Sequence, residues 1–265
     1  MLHTISLPGA TLSVADQGGG TPVVLVHGFP LNQTMWQAQL TTLSDAYRVL
    51  VPDLRGFGQS SCTTDLLTME NFADDLAGML DELQISEPIV LGGLSMGGYV
   101  AFAFWRKYAA RVKGLILCNT RAAADTPEAA AGRRATAAKV LQHGTAELVS
   151  GMSAKLLSSS NPRHEGLTAT LITMMQTAPA ATVSAALLGM AQRPDSRPLL
   201  ASIDVPTLVI SGQDDAIIPA AEMRDMSAAL PASTYVELAE AGHMTPMEQP
   251  DQFNQTLLQF LQNLP

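Results

Sequence analysis

Ser95, the Asp214/Asp215 pair, His27 and His243 are the residues of this 265-residue chain whose types could together support nucleophilic catalysis. A serine hydroxyl attacks poorly at neutral pH unless a base takes its proton. An imidazole suits that task because it titrates near neutrality, and a carboxylate must orient the ring and stabilise its charged form. Ser95 lies in Gly93-Leu94-Ser95-Met96-Gly97, between the apolar run Pro88–Leu91 and a second apolar stretch, Tyr99–Trp105. The five-residue pattern alone is common; its setting gives it meaning. A strand that turns straight into a helix strains its central residue and lifts the side chain clear of the backbone. It also aims the Met96 N–H, at the positive end of the helix, at an oxygen bound beside Ser95.

Those residues need a scaffold that brings distant positions together. The chain opens with a predicted hairpin, His3–Leu7 and Thr11–Asp16, followed by a buried strand at Pro22–Val26. Predicted helices at about 34–44, 68–83 and 99–109 then alternate with strands at Tyr47–Val51, Pro88–Leu91 and Val112–Cys118. Runs of this kind are buried on both faces, and their alternation with helices calls for a doubly wound, mostly parallel α/β sheet. From 121 to 193 the alternation stops, and the Ala-rich segment reads as four helices, about 127–141, 146–157, 163–176 and 180–191. Thr126 and Thr145 are the expected N-caps. The expected organisation is a core of residues 1–120 and 194–265 with a helical cap, 121–193, inserted between two strands. Met152, Met174, Met175 and Met190 could give the cap an adaptable apolar underside, or could simply pack helix on helix. The sheet resumes at Val205–Ile210, and a last strand, Thr234–Leu238, leads to Gly242-His243 and a closing helix at about 250–261.

Composition narrows the classes further. Hydrophobic residues make up 47% and charged residues 15%, enough apolar content for a large core. A net charge of −9 argues against nucleic acid or an anionic membrane as partner. No signal peptide or membrane span is expected, so a soluble cytoplasmic protein is the default. Cys62 and Cys118 lack metal-ligand spacing and read as reduced thiols. Gly18-Gly19-Gly20 opens no helix and does not read as a dinucleotide loop.

Taken in order, His27-Gly28-Phe29-Pro30, the loop Asp53–Ser60, Gly93–Gly97, Gly212-Gln213-Asp214-Asp215 with Pro219, and Gly242-His243 before Glu248-Gln249-Pro250 resemble the α/β-hydrolase family along nearly the whole chain. The resemblance implies that Ser95 is the nucleophile and His243 the base. It implies Asp215 as the acid, because the family's acid lies three residues after the glycine and four before the proline; Asp214 fits neither count and reads as loop-capping or solvent-facing. The main-chain N–H groups of Phe29 and Met96 would form the oxyanion hole, and those side chains, with Met152 and Met175, would line the substrate site. His27 is expected to fix a loop, as are Asp53 and Arg55. The remaining histidines, His3, His143 and His164, read as surface groups, Trp36 and Trp105 as core, and the Asp74-Asp75 and Asp81-Glu82 pairs as solvated helix faces.

The implied function is a serine hydrolase, working without metal or other cofactor, that cleaves carboxylic esters of small to medium acyl groups through an acyl-enzyme. The same frame resembles enol-lactone and carbon–carbon bond hydrolases, haloperoxidases and perhydrolases, and a non-catalytic ligand receptor on this fold is the alternative outside enzymology. The expected partner is a small-molecule ester; acyl length, stereoselectivity and oligomeric state are not legible in the sequence.

Overall fold

Four runs in which every side chain is buried, or all but one, form the middle of the sheet: β3 (Pro22–Val26), β6 (Ile89–Leu94), β7 (Val112–Cys118) and β8 (Thr207–Gly212). These strands come from a computed structural model that describes residues 1–63 and 66–265. With β1 (Leu2–Leu7), β2 (Ala10–Gln17), β4 (Arg48–Pro52) and β9 (Ser233–Leu238) they pair in the order β1-β2-β4-β3-β6-β7-β8-β9, and the two-residue β5 (Ser61–Cys62) lies against β2. β1 and β2 are antiparallel to their neighbours; from β4 onward every pairing is parallel. This is the expected α/β-hydrolase architecture, a mostly parallel sheet between helices.

Register matters most for function. Val26 is level with Gly93, Leu94 with Cys118, Cys118 with Ile210, and Gly212 with Leu238. Neighbouring parallel strands stand about 4.8 Å apart, so residues just past these ends share one edge. The strand order reverses at β3, which sits between β4 and β6, and such a switch point opens a crevice at the carboxyl edge.

Alternation along β3 divides the core in two. Val24 and Val26 join one apolar cluster with α2 (Met69–Glu82), α3 (Met96–Tyr108) and α8 (Ala220–Ala228). Val23 and Leu25 join the other, with α1 (Gln37–Leu43) and α10 (Pro250–Gln262). Between β7 and β8 come four helices, α4 (Pro127–His143), α5 (Ala146–Leu156), α6 (His164–Gln176) and α7 (Ala180–Ala191). α4 pairs with α7 and adds to the first cluster; α5 pairs with α6 and adds to the second. The cap therefore straddles the sheet edge. At its base Asp125 is held by Arg193 at 2.7 Å and Arg133 at 2.6 Å, closing the chain's entry onto its exit. Among the described residues no single helix is long and apolar enough to cross a membrane.

Several local expectations are corrected. The first helix begins as a 3-10 turn, Gln33–Trp36, because the Asn32 side chain accepts from the Thr34 N–H at 3.0 Å. β8 starts two residues later than its apolar run, after Pro206, which has no N–H to give a ladder. Thr145 makes no side-chain cap, although Thr126 does. β5 and the four-residue α9 (Thr245–Glu248) are too short to leave a periodic signal. Asp75 is not on a solvated face: it is 2% exposed and ion-paired with Arg55, tying the loop after β4 to α2. Removing one partner of a buried pair strands the other charge. Arg55→Met is expected to lower the unfolding free energy by about 3–5 kcal/mol, measured by urea titration beside the wild type.

Candidate active site

The turn from β6 into α3 holds Ser95 at φ +55° and ψ −112°, a region that costs a non-glycine residue about 1–3 kcal/mol. Flanking glycines let strand and helix close around it. A Cβ on Gly93 would sit 2.2 Å from the Gly97 backbone, and one on Gly97 would sit 2.3 Å from the Val26 carbonyl oxygen. β7 fastens the turn from the side: Ser95 N–H donates to the Cys118 carbonyl at 2.9 Å, and the Thr120 hydroxyl donates to the Ser95 carbonyl at 2.8 Å.

The loop after β3 lies against this turn, since a Cβ on Gly28 would stand 3.6 Å from the Ser95 Cβ. Phe29 packs edge-on against Phe57, with ring centroids 6.4 Å apart. Among the described residues no hydrogen bond engages the N–H of Phe29 or of Met96. Two main-chain donors, one at the N-terminus of α3, are thus free to meet an oxyanion.

His243 follows β9 and Asp215 follows β8. The His243 Nδ1–H donates to Asp215 Oδ2 at 2.8 Å, with both side chains buried. Asp215 Oδ1 accepts from the Ile217 and Ile218 N–H groups at 2.8 and 3.0 Å, and Oδ2 accepts a second bond, from Asn119 Nδ2 at 2.9 Å. Burial works to raise the carboxyl pKa, but the His243 charge and these donors outweigh it, so Asp215 titrates below the ordinary 3.8. With Nδ1 spent on Asp215, Nε2 is left as the acceptor. Among the described residues Ser95 Oγ makes no hydrogen bond to the ring; such contacts tighten when substrate binds.

A second carboxylate holds the loop that carries His243. Glu248 accepts from Gly242 N–H at 2.8 Å, Met244 N–H at 3.1 Å and, from the cap, Ser158 N–H at 2.7 Å. The Leu156 carbonyl accepts from the N–H groups of both His243 and Met244. The end of α5 is therefore part of the support of His243.

His27 cannot serve as a base where it stands. Its Nδ1–H donates to the Gly28 carbonyl, its Nε2 accepts from Leu54 N–H, and burial pushes its pKa down. Asp53 accepts from Gln33 and Gln59, fixing the loop after β4. Asp214 turns away from His243 and accepts from the cap hydroxyls of Ser158 and Ser160. His3 bonds Asp16, His164 bonds the Ser158 carbonyl, and Trp36 and Trp105 are buried. Cys118 is a buried free thiol.

The apolar candidates divide. Met152 is half-buried and packs against both core clusters, where the two halves of the cap meet. Met175, on α6 of the cap, and Met96, at the start of α3, are both fully buried. Sequence reasoning passed over Asn119, which directly follows β7. An amide placed immediately after a buried strand, on an edge already carrying Ser95 and Asp215, is the signal that could have found it.

A family model described as alpha/beta hydrolase fold matches residues 21–250. A 3-oxoadipate enol-lactonase of Acinetobacter baylyi is 30% identical over 99% of this chain and 98% of its own. Among solved structures, a thermophilic esterase from Thermogutta terrifontis is 48% identical, with a TM-score of 0.95 over 99% of this chain and 98% of that one. The enol-lactonase from Burkholderia xenovorans is 28% identical, with a TM-score of 0.90 over 98% and 100%.

Because folding lowers the Asp215 pKa, its stabilising contribution is present above 3.8 and lost as pH falls through the lowered value. The gap in unfolding free energy between wild type and Asp215→Asn should therefore hold steady above about pH 5 and narrow as pH falls below about 4, as read from urea midpoints.

Proposed function

The chain belongs to the α/β-hydrolase family, and on that premise we propose that it hydrolyses carboxylic esters through an acyl-enzyme on Ser95. The observation that carries the reading is a strained serine on the carboxyl edge of a parallel sheet that also bears a buried imidazole–carboxylate pair 2.8 Å apart. Ser95 Oγ attacks the ester carbonyl carbon while His243 Nε2 takes its proton. The carbonyl oxygen becomes an oxyanion and accepts from the Met96 and Phe29 N–H groups, each donor contributing on the order of 3 kcal/mol to the transition state. The imidazolium then gives its proton to the departing alkoxide, leaving the acyl group on Ser95. Water, deprotonated by His243, attacks the acyl carbon and releases the acid, and Ser95 recovers its proton. Asp215 stays ionised throughout, holding the ring by Nδ1.

Esters of small to medium acyl groups are the substrates in this reading. The 48% identity to an esterase along the whole chain supports the class. Enol-lactones are the second reading, supported by enol-lactonases that match at full length. A lactone is a cyclic ester, so the chemistry is unchanged and the alcohol simply remains tethered.

A fluorophosphonate probe should label the wild type and fail on Ser95→Ala. His243→Ala should abolish turnover of p-nitrophenyl esters, His27→Ala should keep most of it, and Asp215→Asn should cost on the order of a thousandfold or more. A folded wild type that resists the probe overturns the proposal, and Asp214→Asn costing more than Asp215→Asn overturns the choice of carboxylate.

A further inference from the structure

Residues 118–120, at and just past the end of β7, hydrogen-bond to the Ser95 turn, to Asp215 and to the loop that carries His243. The Cys118 carbonyl accepts from Ser95 N–H at 2.9 Å, and the Thr120 hydroxyl donates to the Ser95 carbonyl at 2.8 Å. Between them Asn119 is 0% exposed and held at φ +44°, in the left-handed region that asparagine tolerates better than most residues. One Nδ2 hydrogen goes to Asp215 Oδ2 at 2.9 Å and the other to the Gly242 carbonyl, next to His243, at 3.2 Å. Its Oδ1 accepts from the Thr245 hydroxyl at 2.7 Å. Only a primary amide of this length supplies two donors and one acceptor in one plane.

Resting on the hydrolase reading above, we infer that Asn119 is a positioning residue for the reaction, locking the acid loop and the base loop to the strand that also registers the nucleophile turn. Ser95, Asp215 and His243 sit on loops that diverge in sequence by up to about 150 residues, and β7 is the strand between the nucleophile's and the acid's. Asn119 spans the remaining gap. By sharing Oδ2 with the His243 Nδ1–H, it fixes the carboxylate plane, while Ile217 and Ile218 fix Oδ1. The charged groups facing Asp215 are His243 from the base loop and Glu248 from α9; the Cys118 thiol is kept neutral by burial. A further carboxylate at 119 would make a third acid in this enclosure, and adjoining carboxylates share a proton instead of both ionising.

The test compares the pH dependence of kcat/KM for a p-nitrophenyl ester in wild type, Asn119→Ala and Asn119→Asp, with active sites counted by fluorophosphonate so that misfolded protein drops out. Asn119→Ala should lose about a hundredfold in kcat, the penalty of a displacement of about 1 Å, with KM little changed. Asn119→Asp should move the acid limb upward by about one pH unit or more. Should both variants at 119 keep wild-type kcat per labelled site and the wild-type acid limb, Asn119 serves the fold alone and the inference falls. Should the wild type itself neither label nor turn over ester, it is the hydrolase reading that fails.

Discussion

The strain at Ser95 is the condition the surrounding structure has to meet. A non-glycine residue at φ +55° returns to an ordinary conformation unless its neighbours forbid it. Here the forbidding is steric on one side and hydrogen-bonded on the other. Gly93 and Gly97 let β6 and α3 approach until there is no slack for the turn to relax, while the end of β7 grips both Ser95 main-chain groups. Gly97 also abuts the Val26 carbonyl, so the neighbouring strand β3 braces the same turn. The position of Ser95 is thus a property of three adjacent strands and one helix.

The electrostatics follow from the same crowding. Asp215 is buried, which on its own disfavours ionisation, yet it collects four donors and keeps its charge. A buried charge that is fully hydrogen-bonded and paired is tolerated where an unpaired one is not. His27 shows the opposite arrangement. It too is buried beside a strand end, but with both ring nitrogens engaged by main chain it has nothing left to accept a proton.

What could be read from the sequence was whatever has a local signature. Gly-x-Ser-x-Gly between an apolar strand and an apolar helix announces its turn, and the capping box of Thr68 and Asn71 announces α2. Runs such as Val23–Val26 announce burial on both faces. Asn119 and Asp75 have no such signature. Each owes its role to a partner far along the chain, Asp215 in one case and Arg55 in the other, and periodicity says nothing about pairing. The helix that carries Met175 was legible too, but which face of α6 meets the core depends on how α5 and α6 pack together.

Glu248 and Leu156 give the cap a lasting consequence for redesign. Two peptide groups beside His243 are hydrogen-bonded to the last turn of α5, and the carboxylate that steadies them also grips Ser158. α4 and α7 meet the core through the first apolar cluster, the Asp125 clasp and the Ala185 carbonyl, which accepts from Leu67 N–H. Grafting a foreign α4 and α7 would leave the His243 loop its footing. Transplanting α5 and α6 would carry the footing away, so residues 156–158 must travel with the recipient and never with the donor.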